Sequence, residues 1–378
     1  MTGQALGMDS FEGTYHKSLA RGARAAVEDV VGTKKNERVL IISNPGSDTQ
    51  PISMALFDGF LEAGAAPTLI FQREKGQFDF AEEEVVKAMA SEPAVVISVS
   101  KDRLGKDRHG MKHGYAGKRR YDHIFALLHE EGKIRGFWSP GITKDMFCRT
   151  VPIDYTRLQK DAARVCKTIY GAESVRVTAP GGTDVTIGVR GRKPKRDDGN
   201  YTKAGLAGNV PSGEVYVSPQ LGTMNGVIAF DGSMVLNEGE VVIKRPIITE
   251  VKDGYISHIT GGKEAALLKE SIKVGERKAR ESGRKGQIKP DLVEKYARNA
   301  WSIGELGIGL NRKAKIVANM LEDEKVYGTC HFAVGSNYDG DADALIHLDG
   351  LVKSPTIVVR STSGKETTMQ ESGRLAWD

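Results

Sequence analysis

Two histidines stand near the end of the chain in apolar surroundings. His331 lies within Gly328-Thr-Cys-His331-Phe-Ala-Val-Gly335, and His347 within Ile346-His347-Leu-Asp349-Gly350. Residues two apart on a strand face the same way, so His347 and Asp349 would present an imidazole and a carboxylate side by side. Neutral imidazole and ionised carboxylate are the usual ligands of a divalent metal. Two glutamates earlier in the chain share this character. Glu214 opens a β-like run after Pro211-Ser-Gly213, and Glu305 is the lone charge in Ser302-Ile-Gly-Glu305-Leu-Gly-Ile-Gly-Leu310. A carboxylate in such surroundings is costly to bury without a cation or a metal. Tyr338, a few residues after His331, adds a phenol. Three carboxylates, two imidazoles and a phenol make up the complement of two divalent ions roughly 3.5–4 Å apart, able to polarise a carbonyl and bring a shared water's pKa to about 7. The phenol would donate to a developing oxyanion or touch a metal itself.

Other polar clusters read more plainly. Glu322-Asp-Glu-Lys325 has the look of a solvated turn, and Asp341 and Asp343 of an acidic loop. Cys330 reads as a buried, inert thiol. His109, His113 and Lys118-Arg-Arg120 fall in a polar, glycine-rich stretch, 101–120, expected to be an exposed basic loop. The Asn44-Pro-Gly-Ser turn lacks dinucleotide-binding spacing, and no Gly-Lys-Ser/Thr follows Gly304–Gly309, so neither is a phosphate loop.

These residues need a scaffold. With 378 residues, 39% of them hydrophobic, the chain is long enough for two domains. The first half alternates apolar runs with helical stretches: Arg38–Ser43, a helix over 51–64, Pro67–Phe71, a helix over 81–89, then 94–99. That order predicts a parallel sheet covered on both faces. A long helix over 154–170 reads as a connector. From Ser174 onwards short strands alternate with Gly, Pro and Asp turns, with helices over 262–284 and 290–299. The fold expected is therefore an N-terminal parallel-sheet α/β domain over 1–172, followed by a mostly antiparallel, β-rich metal-binding catalytic domain over 173–378. A net charge of +5 is too slight for a dedicated nucleic-acid binder. Three scattered cysteines point to a reduced, cytoplasmic setting. No apolar signal core stands beside His16, Lys17 and Arg21, and no run reaches the roughly 18 apolar residues of a membrane span.

The ordered set of motifs resembles the M29 metallo-aminopeptidases, the aminopeptidase T family. Gly64-Ala-Ala-Pro67, Gly182-Thr-Asp184, Pro211-Ser-Gly-Glu214-Val, Asn225-Gly-Val-Ile-Ala-Phe-Asp-Gly232, Gly304-Glu305-Leu-Gly-Ile-Gly309, the His331 segment and His347-x-Asp349 carry the likeness over most of the chain. It implies that Glu214, Glu305, His331, Tyr338, His347 and Asp349 hold two divalent ions (zinc, cobalt or manganese). It also implies a homodimer that removes the N-terminal residue from a short peptide substrate. Glu214 or Glu305 would shuttle the proton to the leaving amine, and Tyr338 would bind the oxyanion. The short interval from His331 to His347, with its acidic link Asp339-Gly-Asp-Ala-Asp343, departs from that pattern. A single-iron dioxygenase that cleaves the ring of dihydroxypyridine resembles the same family and shares the His-x-Asp pair, and a catalytically silent member that keeps the fold is the other alternative. Retention of Glu305 as a second carboxylate favours two metals and hydrolysis.

Overall fold

A computed structural model of the chain describes residues 14–76 and 79–378. Most of the N-terminal stretch read for a signal core falls within residues 1–13, outside the described residues. The chain forms two compact units: Met1–Gln159 with Asp197–Ser212, and Lys160–Arg196 with Gly213–Asp378. This division differs from a single break after residue 172. It falls inside the helix Tyr155–Ile169. Residues 197–212 return to the first unit because Ala207–Asn209 pairs in parallel with Arg135–Pro140.

The first unit is built on a five-stranded parallel sheet, in the order Ala66–Phe71, Arg38–Ser43, Val95–Ser100, Arg135–Pro140, Ala207–Asn209. The central strand Val95–Ser100 is buried along its whole length, as a sheet covered on both faces requires. Leu40, Ile42 and Val96 pack with Val85 and Met89 of the helix Glu83–Ala90 and with Ile124 and Leu128 of the helix Ile124–Glu130. Residues 101–120 are more ordered than the loop expected there. Their short helix Arg108–His113 is anchored by buried Asp107, which accepts from the Gly110 amide (2.9 Å), the Ile124 amide (3.0 Å) and the Tyr115 hydroxyl (2.9 Å). His109, His113 and Lys118–Arg120 remain exposed.

Arg135 is buried in this unit. It holds Glu37 in a two-pronged pair (3.0 and 2.6 Å) and donates from Nε to the Val31 carbonyl. Burial works against ionisation of Glu37, but the Arg135 bonds outweigh it and hold the carboxyl below its ordinary range. Arg135→Met leaves that carboxylate with only the Lys34 amide and charge to compensate it, so unfolding free energy should fall by about 3 kcal/mol. Denaturant unfolding checks this, and a loss under about 0.5 kcal/mol would place the pair among screened surface bridges.

The second unit is antiparallel. One sheet has eight strands and includes Ala172–Thr178, Asp184–Gly188, Asn225–Phe230 and Thr356–Ser361. The other sets Glu214–Val217, Ile303–Gly309, Thr329–Gly335 and His347–Lys353 side by side. The Ile303–Gly309 and Thr329–Gly335 strands are buried at every residue. The helix Lys263–Arg284 buries Ala265, Leu268, Ile272 and Ala279 along one face, the stripe that helical periodicity demands. Among the described residues no helix is long and apolar enough to cross a membrane.

Candidate metal centre

Strand register brings the candidate ligands together. Glu214 pairs with Gly309, Glu305 with Ala333, and Ala333 in turn with Asp349. Partners across an antiparallel pair share a face, as do residues two apart along a strand. Glu214, Glu305, His331, His347 and Asp349 therefore rise from one face of four neighbouring strands. The residues between them on that face are small. Gly307 lies directly beneath the His331 ring, where an added Cβ would stand 2.0 Å from its Cε1 and Nε2. Only glycine leaves that imidazole its place.

Two groups of ligand atoms result, each lying within 4.8 Å of one another: Glu214, Glu305 and His331, and Glu305, His347 and Asp349. Glu305 belongs to both. His331 Nε2 is 3.1 Å from Glu305 Oε1 and 3.4 Å from Glu214 Oε2. His347 Nε2 is 3.3 Å from Asp349 Oδ1 and 4.0 Å from Glu305 Oε2.

The arrangement around His347 fits a metal. Its Nδ1 lies 2.9 Å from the Ser336 carbonyl. A carbonyl only accepts, so Nδ1 carries the proton and fixes the tautomer, as in many metal-bound histidines. A neutral ring then turns the lone pair of Nε2 towards Asp349 Oδ1 and Glu305 Oε2, both buried and lacking a hydrogen-bond donor. Acceptors facing acceptors need a cation between them.

Without a metal that cation is a second ring proton. Burial opposes charge on His347, but Asp349, Glu305 and the Ser336 carbonyl outweigh it and lift its pKa to about 10. For His331 burial is likewise overcome, by the Glu305 bond and the charges of Glu214, Glu305 and Asp349, and the pKa rises to about 9. Asp349 also resists ionisation through burial, yet its imidazole neighbours hold it below the usual carboxylate range. Both histidines are raised above their unfolded value of about 6.5. Their contribution to the stability of metal-free protein is thus complete below about pH 6.5 and is lost as pH climbs through about 9 and then about 10. Melting in a chelator should show a midpoint that declines across that window, and a flat profile would contradict the assignment. Metal competes with the same protons, so its affinity should rise over this range.

Tyr338 follows the His331 strand. Its ring centroid lies 5.2 Å from that of His347 and 5.4 Å from that of Tyr216. The residue is 56% exposed, and burial of its inner part with the charges of Glu305 and Asp349 pushes the phenol well above its ordinary pKa. Tyr216 stands two residues from Glu214 on the same face, a site neighbour that simple alternation could have flagged. The acidic link is bound by basic side chains. Arg192 reaches Asp341 (2.7 Å) and Asp339 (3.4 Å), and Lys195 donates to the Tyr338 carbonyl (3.0 Å). Cys330 is buried, which raises its thiol pKa, as expected of an inert residue.

The Glu322–Lys325 run departs from the solvated turn expected of it. Glu322, Asp323 and Lys325 are buried. Glu322 accepts from the Lys315 amide, and Asp323 from the amides of Val317 and Ala318. Lys325 Nζ lies 2.5 Å from Glu214 Oε1 and 2.6 Å from Glu324 Oε1. Sequence reading missed Lys325. Its one signal was a lysine that closes an acidic run shortly before His331.

Residues 143–362, more than half of the chain, match the sequence model of the family described as NicX, 2,5-dihydroxypyridine 5,6-dioxygenase. No curated protein matches by sequence. Among solved structures, 2,5-dihydroxypyridine dioxygenase from Pseudomonas putida KT2440 superposes with a TM-score of 0.67 at 14% identity, covering 95% of this chain and 97% of that one. AmpT from Thermus thermophilus also superposes with a TM-score of 0.67, at 15% identity, covering 96% of this chain and 100% of that one. At these identities both likenesses establish the shared fold.

Proposed function

Because the chain belongs to the 2,5-dihydroxypyridine 5,6-dioxygenase family, we propose that it is a metal-dependent dioxygenase that opens the ring of a dihydroxylated pyridine or a closely similar hydroxylated aromatic. The observation that carries this reading is the span of the family match. Residues 143–362 contain every one of Glu214, Glu305, His331, Tyr338, His347 and Asp349.

Glu305, His347 and Asp349 would hold the metal, with His331 hydrogen-bonded to Glu305 beside them. Imidazole and carboxylate donors suit a non-haem ferrous ion, and also manganese or zinc. A bound ferrous ion would supply the reaction with O2, for which no side chain here suffices. The chain's own residues do the rest. Tyr338 offers aromatic surface next to His347, with Tyr216 as the other ring neighbour of Tyr338, and a flat ring can stack there in offset or tilted geometry. The phenol of Tyr338 keeps its proton and so can donate to a ring oxygen of the substrate. Arg192 and Lys195 hold the loop that carries Tyr338.

Tyr338→Phe should therefore raise KM more than about 3-fold and lower kcat, through loss of a hydrogen bond worth about 1 kcal/mol or more. An unchanged KM and kcat would remove Tyr338 from the substrate site. The reading as a whole is tested by supplying ferrous ion anaerobically, then adding O2 and 2,5-dihydroxypyridine. Loss of the ring's ultraviolet absorption together with O2 uptake is the expected result.

A second reading, metal-dependent aminopeptidase action on short peptides, is favoured by Glu305, which joins the two ligand groups as a bridging carboxylate would. It predicts amine release from aminoacyl-anilides in zinc, cobalt or manganese, with no O2 uptake.

A further inference from the structure

Lys325 has no exposed side-chain surface. An ammonium so placed is strongly destabilising unless paired, and it is paired with two carboxylates, Glu214 and Glu324. Its backbone is held on both sides: its amide donates to the Glu322 carbonyl at 2.9 Å, and its carbonyl accepts from the Asn311 amide at 2.8 Å. The side chain is thus aimed at the strand face by its surroundings. Glu214 faces two ways, with Oε1 on Lys325 and Oε2 towards His331. On the far side of His331, Glu305 passes into the group with His347 and Asp349.

Charge decides how many ions fit. Glu214, Glu305 and Asp349 supply the negative charge that faces the ligand positions, and burial works against ionisation of Glu324. Lys325 offsets one of those three charges, and a single divalent ion offsets the other two. A second divalent ion, seated among Glu214, Glu305 and His331, would share Glu214 with the ammonium. Like charges across one buried carboxylate repel strongly where the dielectric is low. We propose that Lys325 fills the place of a second divalent ion. The cluster then holds one metal ion, at Glu305, His347 and Asp349, and Glu214 anchors Lys325 instead of acting as a ligand. This proposal rests on the reading that the cluster binds a metal, and it specifies how many ions it binds.

Lys325 acts here through Glu214 and is a positioning residue. The test is the number of Co(II) ions bound per chain, measured by calorimetric titration and elemental analysis of the full-length protein. Wild type should bind one ion. Lys325→Met should open a second site and bind two, and Lys325→Arg should return the count to one. Glu214→Gln, which keeps the shape of the side chain, should still bind one ion with affinity within about 3-fold of wild type. This variant decides the matter if Lys325→Met fails to fold. Two ions in wild type, or a loss of Co(II) affinity beyond about 10-fold in Glu214→Gln, would overturn the proposal and leave a metal enzyme standing. A wild type that binds no Co(II) would overturn both the proposal and the functional reading beneath it.

Discussion

On the proposed reading, His347→Ala should cost the protein its metal and its turnover. The ring is held at both ends: Nδ1 by the Ser336 carbonyl, and Nε2 facing Asp349 and Glu305. No neighbouring donor can replace Nε2, because Asp349 Oδ1 and Glu305 Oε2 are already turned to the same point. Loss of an outer partner of a metal ligand commonly weakens binding 10- to 100-fold, so loss of the ligand itself should exceed about 100-fold. Dialysis against a graded chelator series, followed by residual activity, measures both quantities. Full metal retention in the variant would remove His347 from the centre. The metal-free variant should also lose the upper part of the pH-dependent stability, leaving the step near pH 9 that belongs to His331.

Gly307→Ala is the second large effect, and it acts without replacing any of the candidate ligands. The new methyl would stand 2.0 Å from two atoms of the His331 ring. That ring cannot swing away cheaply, since it is fully buried and bonded to Glu305 at 3.1 Å. Overpacking of this kind costs about 1–3 kcal/mol. A ligand cluster displaced by about 1 Å loses on the order of 100-fold in rate. Two measurements check the outcome: the denaturant midpoint, and the His331 titration followed by NMR. The variant should be less stable, and in metal-free protein its His331 should titrate lower than in wild type, because the Glu305 bond that raises it is disturbed. A neutral stability change together with an unmoved titration would show that the strand face has room for the methyl.

Much of the fold was readable because local patterns agreed with it. The apolar run Arg38–Ser43 is a strand over the expected residues. The helix Thr49–Glu62 is followed by Gly64 at φ 77°, a left-handed position that suits glycine. The parallel order of the first sheet and the antiparallel character of the second unit followed from the spacing of strands and helices. The His347–Asp349 pair was also readable, because side-by-side placement on a strand depends on alternation alone.

Other features depended on long-range pairing. Nothing in the spacing of Glu214 and Glu305 says that their strands are neighbours. That adjacency appears only in the register of Leu306 with Val217 and of Gly309 with Glu214. Lys325 was hidden for a related reason. A run of four charges is normally solvated, and this one is buried because the amides of Lys315, Val317 and Ala318, five to seven residues earlier, meet its carboxylates, and the Glu214 carboxylate meets Lys325 from a distant strand. The return of Ala207–Asn209 to the first sheet is likewise a tertiary event with no local mark. The M29 likeness led to the right fold, since AmpT and the dihydroxypyridine dioxygenase superpose equally well. It did not separate the reactions, because both chemistries draw on imidazole and carboxylate donors, and hydrolysis was weighted by Glu305.

O2 consumption by the ferrous-loaded protein, with 2,5-dihydroxypyridine and an aminoacyl-anilide offered in parallel, separates ring opening from hydrolysis. The dioxygenase reading predicts one O2 taken up for each ring opened, no amine released from the anilide, and loss of both signals in Asp349→Ala. Anilide hydrolysis without O2 uptake, lost in the same variant, would contradict it.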